Sequence, residues 1–389
     1  MSSGCFTVVP VISVRAALLT EPGKPFRVAT VQLRTPGPGE VRIRVLAAGL
    51  CHSDLHCQTE APRYPLVAGH EAAGEVVELG PGVTELDLGD RVVVTFIPAC
   101  GRCRWCSSGQ SNLCDAGATI ATGELPHGYA FTYEGADAGG YCMVGAFAEQ
   151  TVVAVASCIR VGADLSPDVA ALFGCGVPTG WGSAVNSAHV GVGDTVVVLG
   201  TGGVGLHAVQ GSRLAGATTI VAVDPVDLKR ETALSLGATH AFATARDAVT
   251  FLRDHTNGLL ADAAVVTVGA LTIDDVHAAF RLVRKGGTIV LTAMPEHGSD
   301  VNISLASALL VSWQKTITGS LFGGCNPRAD VPRLIALYRA GQLQVDPLIN
   351  RRYTLDEIND AYADLLAGTL LRGVITFDDR ADRGPEQAA

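Results

Sequence analysis

The stretch "TVVVLGTGGVGLHAV", Thr195 to Val209, constrains the fold more than any other. A β-branched apolar run leads into G-x-G-x-x-G at Gly200, Gly202 and Gly205, and a helix-like segment follows. Then "TTIVAVD" reads as a second buried strand that ends at Asp224. Strand, glycine turn, helix, strand and acid in this order describe a dinucleotide-binding βαβ unit. Gly200, Gly202, Gly203, Val204 and Gly205 would bring backbone N–H groups up to a pyrophosphate at a helix N-terminus. Asp224 would accept hydrogen bonds from ribose hydroxyls and repel a 2′-phosphate. Pro225 and Val226 supply no cation to attract one, so NAD is favoured over NADP.

A chain of 389 residues is long enough for two domains. After Thr195, "DAAVVTVG" and "GTIVLTA" alternate with helix-like stretches, as a parallel sheet requires. Before residue 100, "EVRIRVLAAG" and "DRVVVTF" predict a different, mostly β region. A net charge of −10 argues against a nucleic-acid partner and fits small-molecule binding. The charge-free windows 169–193 and 195–212 are broken by Gly and read as turns and buried strands, so no membrane span is expected. The opening residues carry no secretory pattern, which predicts a cytoplasmic protein. The tail after Phe377 is polar and expected to fray.

There are eleven cysteines. Four of them, Cys100, Cys103, Cys106 and Cys114, fall within "CGRCRWCSSGQSNLC". They could form two disulfides, a reactive thiol cluster or one metal site. In a reducing compartment the metal reading is preferred, and an odd cysteine total fits poorly with full pairing. Four thiolates around zinc make a closed, structural site. A second grouping differs in kind: Cys51, His70 and Cys175 come from separate parts of the chain. Two thiolates and an imidazole leave one zinc position open, which is the catalytic arrangement. Alone this grouping is weak, because a lone His or Cys is most often a core residue. The dinucleotide unit beside it strengthens it.

These motifs together resemble the zinc-dependent medium-chain alcohol dehydrogenases. The G-H-E-x2-G-x5-G-x2-V signature stands at Gly69, His70, Glu71, Gly74, Gly80 and Val83. The four-cysteine lobe, "GCGVPTGWG", the glycine turn and "LLRGVITF" follow in the family's order, and the likeness spans about residues 13–377. It implies an α/β plus β fold: a GroES-like, mostly β catalytic domain interrupted by a Rossmann doubly wound parallel-sheet domain. The implied division is 1–177 with a structural zinc lobe at about 96–116, then 178–319, then 320–389.

The resemblance also implies roles. Two zinc ions per subunit and NAD are the cofactors, and a small alcohol or aldehyde is the substrate. Cys51, His70 and Cys175 hold the catalytic zinc, with Glu71 approaching it from behind and Asp54 bonded to His70. Ser53 and His56 form the proton path. His52 and Arg372 contact the pyrophosphate, Lys229 the adenosine ribose, and Thr179 supports the nicotinamide. Phe96, Phe147 and Met294 line the substrate channel. A homo-oligomer, dimer or tetramer, is expected through the Rossmann sheet edge. The segment 115–145 and "GGCNPRADVPRLIALYRAGQL" resemble a bacterial branch that holds its nicotinamide tightly and is assayed with an artificial electron acceptor. The activity implied is reversible oxidation of primary alcohols to aldehydes. Alternatives are oxidation of an S-(hydroxymethyl)thiol adduct, and a non-catalytic zinc and nucleotide-binding protein.

Overall fold

The apolar run Thr195–Leu199 is an inner strand of a six-stranded sheet. Across that sheet the order is His240–Phe242, Thr219–Val223, Thr195–Leu199, Ala261–Val266, Val283–Leu291, Thr316–Gly319. Every neighbouring pair is parallel. The structure is a computed structural model that describes residues 11–296, 301–305 and 307–377. The tail expected to fray beyond Phe377 lies outside the described residues, as does Cys5.

Alternation along the strands explains why this sheet carries helices on both sides. Val196, Val198, Ile220 and Ala222 face one way, against Leu206 and Val209 of the helix Gly203–Ala215. Val197, Leu199, Val221 and Val223 face the other way. They pack on Leu252 of Ala245–His255 and Val276 of Ile273–Leu282. Each such side chain is buried, and each Val, Leu or Ile among them contributes about 1.5–3 kcal/mol. Strand order reverses between Thr195–Leu199 and Ala261–Val266. In an open parallel sheet the ligand crevice opens beyond the C-terminal ends of such a pair.

The remaining strands form the mostly β part. Val11–Leu19, Arg27–Arg34, Phe131–Tyr133, Ala136–Gly140 and Leu66–Val67 close into a barrel. A second sheet is organised around Glu40–Gly49, which pairs antiparallel with Ala72–Leu79 and Gln150–Ala154. After the parallel sheet the chain returns, and Arg372–Thr376 also pairs with Glu40–Gly49. The segment 115–145 divides its work: its strands belong to the barrel, while Ile120 and Ala121 reach the cleft between the two parts. The helix Gly176–Gly182 crosses the expected 177/178 division and packs on Gly203–Ala215. A methyl group at Gly180 would lie 2.0 Å from the Val204 carbonyl oxygen, so only glycine allows that approach.

Candidate active site

Cys51 and Cys175 stand immediately before helices, at the N-caps of His52–Thr59 and Gly176–Gly182. His70 precedes the strand Ala72–Leu79. Gly69 before it has φ +87°, and a side chain there would strike the Phe147 backbone nitrogen at 2.7 Å. Two helix starts and one strand entry thus bring three ligand atoms within 4.8 Å of one another. No other His, Cys, Asp or Glu completes this group among the described residues. Two sulfurs and one nitrogen, with a fourth position free of protein, suit zinc with an open site.

The charges around the trio support that use. Asp54 is fully buried, and its Oδ1 accepts from the Gly69 N–H at 3.0 Å and from His70 Nδ1 at 3.1 Å. That bond fixes the imidazole, leaving Nε2 for a metal. Burial opposes charge on His70, but Asp54 and Cys51 outweigh it and hold its pKa well above the ordinary value. Contact with the Cys175 thiol, aided by His70, holds Cys51 well below the usual thiol range. A buried thiolate of this kind is a ready metal ligand.

Glu71 does not join the trio. Its carboxylate forms an ion pair with Arg372 and accepts from the Gly176 N–H at 3.0 Å. The chain is entering a strand, so neighbouring side chains diverge: His70 faces the cleft and Glu71 faces Arg372. The expectation that Glu71 reaches the metal group is thereby corrected.

The second cysteine group is compact. Cys100 and Cys106 sulfurs lie 4.0 Å apart, and those of Cys103 and Cys114 lie 3.9 Å apart. No disulfide links them. A tetrahedron with metal–sulfur bonds of about 2.3 Å has edges of about 3.8 Å, so this spacing fits zinc. Backbone N–H groups of Cys106 and Asp115 pull the Cys103 thiol down to about 6. Beside this lobe, Gln110, Asn112 and Leu113 reach the rim of the cleft.

The cleft has a volume of about 1340 Å³ and runs from the trio to the glycine turn. Each glycine of the turn has its own reason. Gly200 holds φ +83°. A methyl group at Gly205 would sit 2.0 Å from the Gly200 oxygen, while one at Gly202 would point into open space. One at Gly203 would strike Arg372 at 2.2 Å. The helix Gly203–Ala215 starts here with no side-chain cap and no acid in its first turn. Its free N–H groups fit a pyrophosphate. Asp224 is anchored by the N–H groups of Thr201 at 2.8 Å and Val226 at 2.9 Å. Val204, Asp224, Lys229, Thr179, His52 and Arg372 all line this cleft. Burial lowers the pKa of His52.

Ser53 and His56 also line the cleft, and Ser53 Oγ lies 3.6 Å from Cys51 Sγ. Phe96 lines it with its ring edge-on to His70, centroids 5.6 Å apart, and Met294 lies on its exposed margin. Phe147 does not line it. That ring is fully buried in the β core and packs edge-on against Tyr362. The nearby aromatic that does reach the cleft is Tyr141, six residues earlier, together with Cys142 and, from far downstream, Phe322. No linear pattern separates Tyr141 from Phe147. Left-handed backbone at Cys142 (φ +53°) and Met143 (φ +62°) intervenes between them.

Both parts of the chain are similar to known proteins. Residues 37–163 match the family model described as alcohol dehydrogenase GroES-like domain, and residues 203–340 match that of zinc-binding dehydrogenase. An NDMA-dependent alcohol dehydrogenase of Amycolatopsis methanolica is 47% identical over 367 residues, covering 94% of this chain and 99% of that protein. An alcohol dehydrogenase zinc-binding domain protein of Burkholderia ambifaria has a TM-score of 0.87 at 32% identity, covering 95% of this chain and all (100%) of that one. Benzyl alcohol dehydrogenase of Acinetobacter calcoaceticus has a TM-score of 0.85 at 29% identity, covering 94% and 100%. With both family models matched and likeness along nearly the whole chain, the protein belongs to the zinc-type medium-chain alcohol dehydrogenases.

Proposed function

We propose that this alcohol dehydrogenase oxidises apolar primary alcohols to aldehydes, reversibly, with NAD as hydride acceptor. The observation that carries the reading is that the Cys51, His70 and Cys175 group and the glycine turn open onto one cleft. On this reading Cys51, His70 and Cys175 hold one zinc and the four-cysteine lobe holds another. Zinc at the trio supplies Lewis acidity to an alcohol oxygen, and a nicotinamide supplies the hydride acceptor.

The chain's own residues do the rest. Asp54 keeps His70 in one tautomer. Ser53 Oγ accepts the alcohol proton as it releases its own toward the outside, and half-buried His56 takes up a proton nearer solvent. Asp224 selects NAD by repelling a 2′-phosphate. Among the described residues, the only Lys or Arg residues lining the cleft are Lys229 and Arg372. Arg372 abuts Gly203 and Lys229 lies five residues beyond Asp224, so both belong to the nucleotide end. The substrate end is walled by Phe96, Leu113, Ile120, Leu321 and Phe322. Such a wall favours a neutral aliphatic or aromatic alcohol over an anionic thiol adduct.

The likeness to an NDMA-dependent enzyme supports a further part of the proposal: the cofactor stays bound, and NDMA serves as acceptor. Subunits would associate as a homo-oligomer through the outer strand Thr316–Gly319. The test is an absorbance spectrum of the purified protein before and after excess benzyl alcohol, with no cofactor added. Growth of the reduced-nicotinamide band by about one equivalent per subunit supports retained NAD. A band that appears only when NAD is supplied leaves an ordinary exchanging enzyme. No band with several primary alcohols overturns the substrate class.

A further inference from the structure

Ser53, Asp54 and His56 all ride on the short helix His52–Thr59. It has eight residues, fewer than the roughly 12–15 at which an isolated helix becomes even marginally stable in water. Among the described residues no side chain caps its start, and within it Asp54 and Cys57 are buried. What holds it in place must come from outside the helix.

Asp54, bonded to the Gly69 N–H and to His70, and Gln58, bonded to the Lys24 carbonyl, supply part of that hold, and two phenols add to it. Tyr141 Oη donates to the Ser53 carbonyl at 3.1 Å, and Tyr64 Oη donates to the Cys57 carbonyl at 2.7 Å. The two acceptors are four residues apart, so they lie on one face of the helix, one turn apart. The Cys57 carbonyl belongs to the last turn, where intrahelical donors run out, so Tyr64 acts as a C-terminal cap. Tyr141 does more. Its ring meets His70 edge-on, with centroids 5.4 Å apart and planes at 86°. One side chain therefore touches both the proton-path serine and a metal-ligand imidazole.

The backbone that presents Tyr141 is costly. Directly after it, Cys142 and Met143 hold φ +53° and +62°. Left-handed conformations at non-glycine residues cost about 1–3 kcal/mol each and persist where surrounding structure imposes them, often at functional sites.

We propose that Tyr141 is a positioning residue for proton transfer: its hydroxyl holds the Ser53 carbonyl so that Ser53 Oγ stays beside Cys51 Sγ, while its ring braces His70. Tyr64 fastens the far end of the same helix. The inference rests on the alcohol dehydrogenase reading, and its test separates the two.

Tyr141→Phe removes one oxygen and keeps the ring. In the zinc-loaded enzyme, kcat with benzyl alcohol falls roughly five- to tenfold, the effect of one lost hydrogen bond. KM stays unchanged, and the solvent isotope effect on kcat rises as proton transfer becomes limiting. Backbone amide exchange across residues 52–59, read without any substrate, quickens by a similar factor. Tyr64→Phe quickens exchange mainly at the end of that segment and lowers kcat less. Wild-type exchange in Tyr141→Phe overturns the clamp. Faster exchange with unchanged kcat overturns the role in proton transfer, leaving a structural contact. A rise in KM that accounts for all the lost activity makes Tyr141 a substrate contact instead. If the parent enzyme turns over no alcohol, the functional reading fails, while the exchange arm still decides the clamp.

Discussion

At the scale of single residues, chemistry was easier to read than direction. Cys51, His70 and Cys175 were legible as a group only beside the dinucleotide unit and the family signature, because a lone His or Cys is most often a core residue. Where a side chain points was legible only if its neighbours fixed it. Glu71 follows His70 directly, yet strand entry sends its carboxylate to Arg372. Phe147 and Tyr141 lie six residues apart, with left-handed backbone at Cys142, Met143 and Gly145 between them, and only Tyr141 meets the cleft. Asp224 yields a prediction at this scale. Both of its oxygens are held by backbone N–H groups, so its charge is fixed in place. Asp224→Ser should raise the ratio of NADPH to NADH affinity of the apoprotein roughly tenfold, about 1.4 kcal/mol of relieved repulsion. Fluorescence titration with both nucleotides measures it, and an unchanged ratio refutes the assignment. The melting temperature should fall as well, since one hydroxyl oxygen cannot replace both carboxylate acceptors.

At the scale of elements, the parallel sheet was the most readable part. Its strands are apolar on both faces, and only a sheet covered on both sides accepts that pattern. The barrel was less readable, because its short strands include the glycine-rich Ala136–Gly140, which carries little pattern. The helix Gly203–Ala215 carries its own pH dependence. His207 is fully buried, and that burial pushes its pKa down to about 3. The ring is therefore neutral in the folded chain, while the unfolded chain takes up a proton near the ordinary value of about 6.5. Between those values the unfolded state binds more protons. The stability contribution is complete above about pH 6.5 and is lost as pH falls toward 3. The slope is about 1.4 kcal/mol per pH unit for one proton. Denaturant unfolding of His207→Gln should show a slope shallower by that amount between about pH 6.5 and 5. Identical slopes in variant and parent would contradict it.

At the scale of the whole molecule, a buried ion pair joins distant parts of the chain. Arg372 lies on the returning strand, packs against Gly203 of the glycine turn, and pairs with Glu71, the neighbour of His70. Both partners are buried. The sequence showed Arg372 and Glu71 only as separate motif positions, because no linear signal joins residues 301 positions apart. Arg372→Met leaves the Glu71 carboxylate without its cation in the interior. It should cost about 3–5 kcal/mol of stability and weaken dinucleotide binding together, because the same side chain serves both. Chemical denaturation and nucleotide titration read the two effects. Loss of one without the other would show that the pair does not couple cleft and core.

The central claim is that the Cys51, His70 and Cys175 group performs the chemistry while the glycine turn separately binds the cofactor. Cys51→Ser tests it most directly, with turnover of benzyl alcohol, dinucleotide affinity and melting temperature measured on one preparation. The account predicts that turnover is abolished while dinucleotide affinity is largely retained in a folded protein. Unchanged turnover in that variant would contradict it.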